Sequence, residues 1–510
     1  MDLDAFLEIA PRLNETARGE RMAKACAYYR GRQYKGRAFD ADGYYARAGA
    51  LKPGKSPAWS QREIPAVYNV VGIVARRLTR WALAGDNWCR LEIPDDPEAE
   101  DFLSKTATSA RLQDVVIEGR NFAGGEGTGV VSLAWADGLP RLEAHDPACC
   151  WPLAWVDEEG GKLAAIAEVY EVEDPFAGRS AKKLLECRYW DAELELVRRR
   201  YPDPNTESGF VWREIRRAEH KLGFCPVVWW RNNHVHGCID GEPDVPDEGR
   251  GLADEINELL CAGGITTKRN AEDTLVVKEH PSLNPGDVKK GSFNAIFARG
   301  GAEYLTQNGE SARICLEYGE KRADQLFHAV GVVMVSLDVL GKATTGEALK
   351  KIFFDQTVTT QGIRTWTATH AIVPLARMLL ESARVLLGRG EQLAIAPRVE
   401  TKDGITTVTQ RTPGPGRGDH IEVVWPDPFP ATTADKQQGV TTAVNGVTGN
   451  VMSLDTALAT MRDAGIPILD VEAEKRAIEE QKAANAALQA KSLGMGEEPD
   501  ADDPGKSAAE

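Results

Sequence analysis

Apolar positions recur at helical spacing in three stretches between residues 252 and 390 and alternate in strand fashion between 160 and 235. The first helical stretch runs from Leu252 to Asp273, with Ile256, Leu259, Leu260 and Ile265 near one stripe. The second covers about Lys321 to Leu340 and places Leu326, Val330, Val333, Met334 and Leu337 on one face. The third begins near Thr345 or Gly346, where threonine can cap and Glu347 suits the positive end of the helix dipole. It continues past residue 380, and Pro374 within it removes a backbone donor and predicts a bend. Between the first two stretches, residues 274 to 318 carry apolar runs (TLVVK, AIFA, ARICLEY) broken by Pro281, Pro285, Gly291, Gly300, Gly301 and Gly309. That pattern predicts short strands and turns.

Elsewhere the pattern is mixed. Residues 1 to 35 predict helix, with Phe6, Ile9 and Leu13 on one stripe and Met22, Cys26 and Tyr29 on another. A Gly/Pro/Ala-rich loop at 36 to 60 precedes Ile64-Pro65-Ala66-Val67-Tyr68-Asn69 and a helix, VVGIVARRLTRWALAG. A helix around Glu98 to Glu118 is followed by a glycine turn at Gly124-Gly125-Glu126-Gly127 and the strand GVVSLAW. Strands are predicted in KLAAIAEVYEVED, KLLECRYWD, LELVRRRYP and PVVWWRN, and a Gly/Pro/Asp linker at 237 to 250. Strand and loop at 391 to 430 give way to three helices, TADKQQGVTTAVNG, SLDTALATMRDAG and DVEAEKRAIEEQKAANAALQAK. Residues 491 to 510, with six acidic groups and two lysines among Gly, Pro and Ser, predict a disordered tail.

Composition narrows the function classes. With 510 residues, the chain can build several domains or one elongated subunit. No window supplies the ~20 apolar residues of a membrane helix, and the acidic start MDLDAFLEIAPRL does not resemble a secretory signal. Nine cysteines without a regular framework point to reduced, mostly core thiols. A net charge of −16 opposes tight gripping of nucleic acid, which needs many Lys and Arg on phosphates. It is compatible with a wall past which a polyanion slides.

Candidate chemistry is sparse. Gly49-Ala50-Leu51-Lys52-Pro53-Gly54-Lys55-Ser56 satisfies the phosphate-loop pattern, but no apolar strand precedes it and Pro57 follows Ser56 directly, so an exposed basic loop is expected. His234, His236 and Cys238 could offer metal ligands from one strand face, but no second ligand pair follows at zinc-like spacing. Asp95-Asp96 and Glu158-Glu159 lie in turn-like sequence and are expected to be solvated. Cys149-Cys150 are expected in strand, and Val228-Trp229-Trp230 in core or at a subunit interface. No catalytic, cofactor or metal residue is assigned.

The order helix, β-rich insert, helix, small-residue loop and long bent helix resembles the phage portal proteins of the SPP1-like family. Thr345-Gly346-Glu347-Ala348-Leu349-Lys350 stands where that family often has Ser-Gly-x-Ala-Leu-Lys, with threonine replacing serine first. Similar supporting elements are Tyr29-Arg30-Gly31, the Asn69 entry to a helix, the Asp146-Pro147 turn, Gly223 with Pro226-Val227, and the Asp427-Pro428-Phe429-Pro430 junction. The resemblance implies an α+β subunit with long stem helices, a β-rich wing, a small α/β clip and a helical crown. It divides the chain into wing 1–250, stem helix 251–273, clip 274–318, stem helix 319–340, tunnel loop 341–345, long kinked helix and return 346–430, crown 431–490 and tail 491–510. Lys342, Ala343, Thr344 and Thr345 would face a DNA channel. The implied role is a dodecameric homo-oligomer in the virion, assembled in the host cytoplasm, through which double-stranded DNA is packaged and ejected. Its implied partners are the large terminase, scaffold and major capsid protein, and a head-completion or adaptor protein, with no membrane, cofactor or enzymatic activity. The alternatives are a phosphate-loop NTPase using Gly49–Ser56 and another structural virion protein. Lys55→Ala separates the first: any ATP turnover by the purified chain is expected to be unchanged by it, and its abolition would assign the loop to nucleotide.

Overall fold

The computed structural model describes residues 1–34, 67–94, 96–156, 161–173, 183–206, 209–270, 274–277, 302–305, 310–334, 351–391, 393–394, 398–402, 405–409, 420–427, 433–449, 451–463, 466 and 471–492. They form a mixed helix-and-sheet structure in two compact units. One comprises Met1–Met334 with Asp355–Pro428; the other comprises Val335–Phe354 with Phe429–Glu510.

The larger unit opens with α1 (Leu3–Ile9), a 3-10 turn (Ala10–Glu15) and α2 (Ala17–Tyr29), whose first turn is capped by Thr16 Oγ1 accepting from the Gly19 amide at 3.0 Å. Phe6 and Leu13 are buried as expected, but Ile9 is exposed and Leu7 and Ala10 take its place, because the 3-10 turn shifts the buried stripe. α3 (Val70–Leu83) is capped in the same manner by Asn69. Short β1 (Arg90–Glu92) then leads to α4 (Pro97–Ser109), capped by Asp96, and α5 (Leu112–Glu126).

Two expectations change here. The helix predicted through Glu118 is two helices, because Arg111 takes a left-handed conformation (φ 54°) between α4 and α5. The predicted glycine turn shrinks to Gly127 alone (φ 97°). Gly124 and Gly125 stay helical, and their missing side chains make room for neighbours. A Cβ at Gly125 would overlap the Tyr29 ring, and one at Gly124 would overlap the Arg120 and Asp244 side chains.

The strands follow as β2 (Thr128–Ala136), β3 (Leu139–His145), β4 (Cys150–Trp155), β5 (Leu163–Glu173), β6 (Lys183–Trp190), β7 (Leu194–Pro202), β8 (Phe210–Glu219) and β9 (Val227–Arg231). They build two antiparallel sheets, β3-β2-β9 and β4-β5-β6-β7-β8. The Asp146-Pro147 turn joins them, with Asp146 Oδ1 accepting from the Ala148 amide. The run Val228-Trp229-Trp230 is core. Successive side chains on β9 point to opposite faces. Trp230 packs with Val131, Leu133 and α5, while Trp229 packs with Val130, Cys150, Ile166 and Trp190. The small sheet is thus covered on both faces, which explains an apolar run without alternation. Cys150 is a strand residue as expected, whereas Cys149 lies in the turn before it; no disulfide forms among the described residues.

Next come α6 (Asp247–Asn270), β10 (Thr274–Val277) paired antiparallel with β11 (Ala302–Leu305), and α7 (Glu310–Ala329). The strand expectation for ARICLEY is wrong. Residues 310 to 318 are the first turns of α7, stabilised locally by Arg313 pairing with Glu310 and Glu317 at helical spacing. The buried positions Ala312, Gly319, Ala323 and Leu326 carry the true period, while the more conspicuous Ile314 and Leu316 are exposed. The helix also ends earlier than predicted. Gly331 (φ 67°) closes it, with its amide bonded to the His328 carbonyl and the Val332 amide to the Phe327 carbonyl, a Schellman ending.

The last long helix runs as α8 (Phe354–Thr367), a π-helical turn (Ala368–Ile372) and α9 (Val373–Gly388). The predicted irregularity at Pro374 is present as that π turn, since proline offers no N–H to the carbonyl four residues back. Two β pairs complete the unit: β12 (Arg398–Lys402) with β13 (Ile405–Thr409), and β14 (Glu422–Val424) with β1. The smaller unit holds α10 (Thr433–Thr448), α11 (Leu454–Asp463) and α12 (Val471–Ser492), near the predicted bounds. Lys475 bridges α12 to Asp455 of α11 at 2.9 Å.

Gly125→Val is expected to destabilise the chain by about 1–3 kcal/mol in urea unfolding, through overlap with Tyr29. Gly362→Ala, at a helical position with open space around it, should be neutral to stabilising by up to ~1 kcal/mol.

Candidate functional site

The described residue pattern concentrates polar chemistry where α6 leaves the β-rich body. The stretch from 237 to 250, expected as a linker, is an ordered anchor instead. Asp240 is buried and accepts from Arg18 Nε and Nη2 at 2.9 Å each, from Arg21 Nη2 at 2.8 Å and from Thr128 Oγ1 at 3.1 Å. Arg18 also donates to the Cys150 carbonyl and lies 4.4 Å over the Trp151 ring. Asp244 receives both terminal nitrogens of buried Arg120, at 3.1 and 2.9 Å, and Asn232 Nδ2 at 2.9 Å. Within α6, Asp254 accepts from the Tyr28 hydroxyl at 2.5 Å and the Tyr34 hydroxyl at 2.6 Å. Asn257 accepts from the Tyr68 amide at 2.7 Å. Burial alone would raise the Asp240 carboxyl; the Arg18 and Arg21 charges outweigh it and hold the group below the usual carboxylate range.

From this anchor α6 and α7 run antiparallel. Glu255 meets Arg322, Leu259 and Leu260 lie against Gly319, and Gly263 faces Leu316, so partner numbers fall along α7 as they rise along α6. Small residues at Gly263 and Gly319 allow the close approach. Three large apolar side chains on α7 remain exposed: Ile314 (55%), Leu316 (38%) and Tyr318 (42%).

The sequence-predicted residues distribute as follows. Lys342, Ala343, Thr344 and Thr345 lie outside the described residues, as do Gly49–Ser56, Asp95 and Glu158-Glu159. Asp96 is the cap of α4 and is thereby explained structurally. His234 and His236 are exposed on an irregular segment after β9, not on a strand. With Cys238, Trp155, Trp229, Trp366 and His370 they line an open cleft of about 830 Å³. His370 packs against Trp366 with ring centres 4.0 Å apart and planes tilted by 40°, and burial, then the charges of His234 and Arg231, depress its basicity. These groups do not converge on one point. Among the described residues, the one set of three metal-capable side chains that does converge is Cys26, Glu126 and Asp146. They come from α2, the end of α5 and the β3–β4 turn, so no sequence spacing could announce them.

No protein-family model matches the chain, and no curated protein matches it. Solved structures similar to it include a chain of the virion of a native gene transfer agent particle, at 14% identity and a TM-score of 0.38, covering 83% of this chain and 98% of that one. A second is a chain from the neck of an empty gene transfer agent particle computed with C6 symmetry, at 12% identity and a TM-score of 0.36, with the same coverage. At that level of superposition neither fixes the role of this chain.

Asp240→Asn should destabilise the folded state by about 3 kcal/mol at neutral pH, since it leaves buried Arg18 without its counter-charge. The depressed native pKa makes the Asp240 contribution full above the unfolded value of about 4 and lost as pH falls through the folded value. Acid titration of stability should therefore show a shallower fall below about pH 4 in the variant than in the wild type.

Proposed function

We propose that the chain is the subunit of a phage-type portal, a ring at one capsid vertex through which double-stranded DNA enters and leaves. The observation that carries this reading is the antiparallel α6–α7 pair. It is anchored at one end by buried ion pairs, bears a paired strand insert at the other, and leaves Ile314, Leu316 and Tyr318 exposed among the described residues. A closed ring of identical subunits buries two different patches on each copy, and a helix pair with an apolar outer face meets that requirement. The broken helix α8–π–α9 and the three-helix unit α10–α12 follow in the order that the resemblance to portal proteins requires.

In this reading α6 and α7 are stem helices, β10 and β11 belong to the clip, and the β2–β9 sheets form the wing. Lys342, Ala343, Thr344 and Thr345 face the channel, where small polar side chains and one lysine make transient phosphate contacts. The overall negative charge keeps DNA from adhering to the wall. The clip seats the large terminase and then a head-completion or adaptor protein; scaffold and major capsid protein surround the ring. The role is mechanical, without catalysis.

Mass photometry and negative-stain imaging of the purified chain, alone and co-expressed with its scaffold, test the reading. Rings with a central hole at about a dozen subunit masses are expected. Ile314→Asp with Tyr318→Asp should leave the circular dichroism spectrum unchanged and reduce ring formation at least tenfold, roughly the 1.4 kcal/mol that separates tenfold populations. A monomer under both conditions would overturn the proposal.

A further inference from the structure

Glu126 is the last residue of α5 and is 2% exposed. Neither of its carboxylate oxygens receives a hydrogen bond from outside the cluster it forms with Cys26 and Asp146. A buried carboxylate without donors costs several kcal/mol as an order of magnitude, and its position at the negative end of a helix dipole adds to that cost. What surrounds it is also acidic. Ligand atoms of Glu126, Cys26 and Asp146 lie within 4.8 Å of one another. The nearest cation, Arg30, is committed to Asp146 Oδ2.

We propose that Cys26, Glu126 and Asp146 form a binding site for one divalent metal ion of borderline softness, of the Zn²⁺ or Co²⁺ type. A thiolate in the set disfavours Mg²⁺ and Ca²⁺, which prefer all-oxygen shells. One sulfur and two carboxylate ligands leave a fourth position for water in tetrahedral geometry. Ligand atoms about 2.0–2.3 Å from such an ion stand roughly 3.3–3.8 Å apart, so closure needs a contraction of about 1 Å. Asp146 can keep Arg30 and still ligate, because each carboxylate oxygen has two lone pairs. As the metal–sulfur and metal–oxygen bonds form, the thiol proton of Cys26 and any proton held on Glu126 leave to solvent. Burial, followed by the neighbouring carboxylates, pushes the empty-site thiol up to about 12, and burial followed by Asp146 raises the Glu126 carboxyl. The site would tie α2, α5 and the β3–β4 turn together beside the Asp240 anchor.

Cobalt titration of the reduced, metal-free full-length protein tests this. One equivalent per chain is expected to bind, with a near-ultraviolet thiolate-to-cobalt band. Cys26→Ser should abolish the band, and Glu126→Gln should weaken binding at least about tenfold. Absence of saturable binding, or a band that persists in Cys26→Ser, would overturn the proposal. Should Glu126→Gln fail to fold, Cys26→Ser decides alone, since it alters a half-buried position and leaves the acidic pair intact.

Discussion

The structure depends on how a helix with a polar start is fastened to a body of sheets. Asp240 and Asp244 sit in the segment entering α6, and each is satisfied by an arginine from a different helix, Arg18 of α2 and Arg120 of α5. Such pairs contribute little net stability when compared with apolar packing, but they are costly to break and directional. Direction is what this junction needs. Bidentate geometry at Asp240 and Asp244, with the tyrosine hydroxyls on Asp254, fixes where α6 begins and along which line it leaves. An apolar contact of equal area would have left the helix free to slide.

The glycines of α5 belong to the same constraint. Gly124 yields space to the Arg120–Asp244 pair, Gly125 to Tyr29, and Gly127 lets the chain turn into β2 while its carbonyl accepts from the Asn232 amide. In sequence these three glycines look like a loop. They are a helix end shaped by what passes over it, and that is legible only once the partners are known.

This separates what the sequence made legible from what it did not. Strands β5, β6, β7 and β9, the covered run at Val228-Trp229-Trp230, the irregularity before Pro374 and the three helices after residue 432 follow from periodicity and backbone rules, which act over a few residues. The errors arise where a distant partner overrides the local signal. ARICLEY looks like a strand because its bulkiest side chains are conspicuous, yet the buried positions around it are Ala312 and Gly319, small residues at the close approach to α6, and the large buried ones, Leu326 and Phe327, come later in α7. The segment at 237 to 250 has the composition of a linker because ion-paired aspartates and solvated aspartates are the same letter. The Cys26, Glu126 and Asp146 cluster spans three elements, so it has no sequence signature.

A contrast in saturation runs through the larger unit. Around β2 and β9 both sheet faces are covered, and the aspartates of the anchor have their donors. In the first turns of α7, Ile314, Leu316 and Tyr318 are exposed while Ala312 and Gly319 are buried; further along, Leu326 and Phe327 join the core. A monomer selected only for stability would reverse that assignment, since burying Ile314 or Tyr318 releases more apolar area than burying Ala312 or Gly319. The small residues face α6 because two helices must approach closely there. In the proposed ring, a second copy of the same helix pair, repeated around an axis, would cover Ile314 and Tyr318 without any change to the anchor that holds the pair in place.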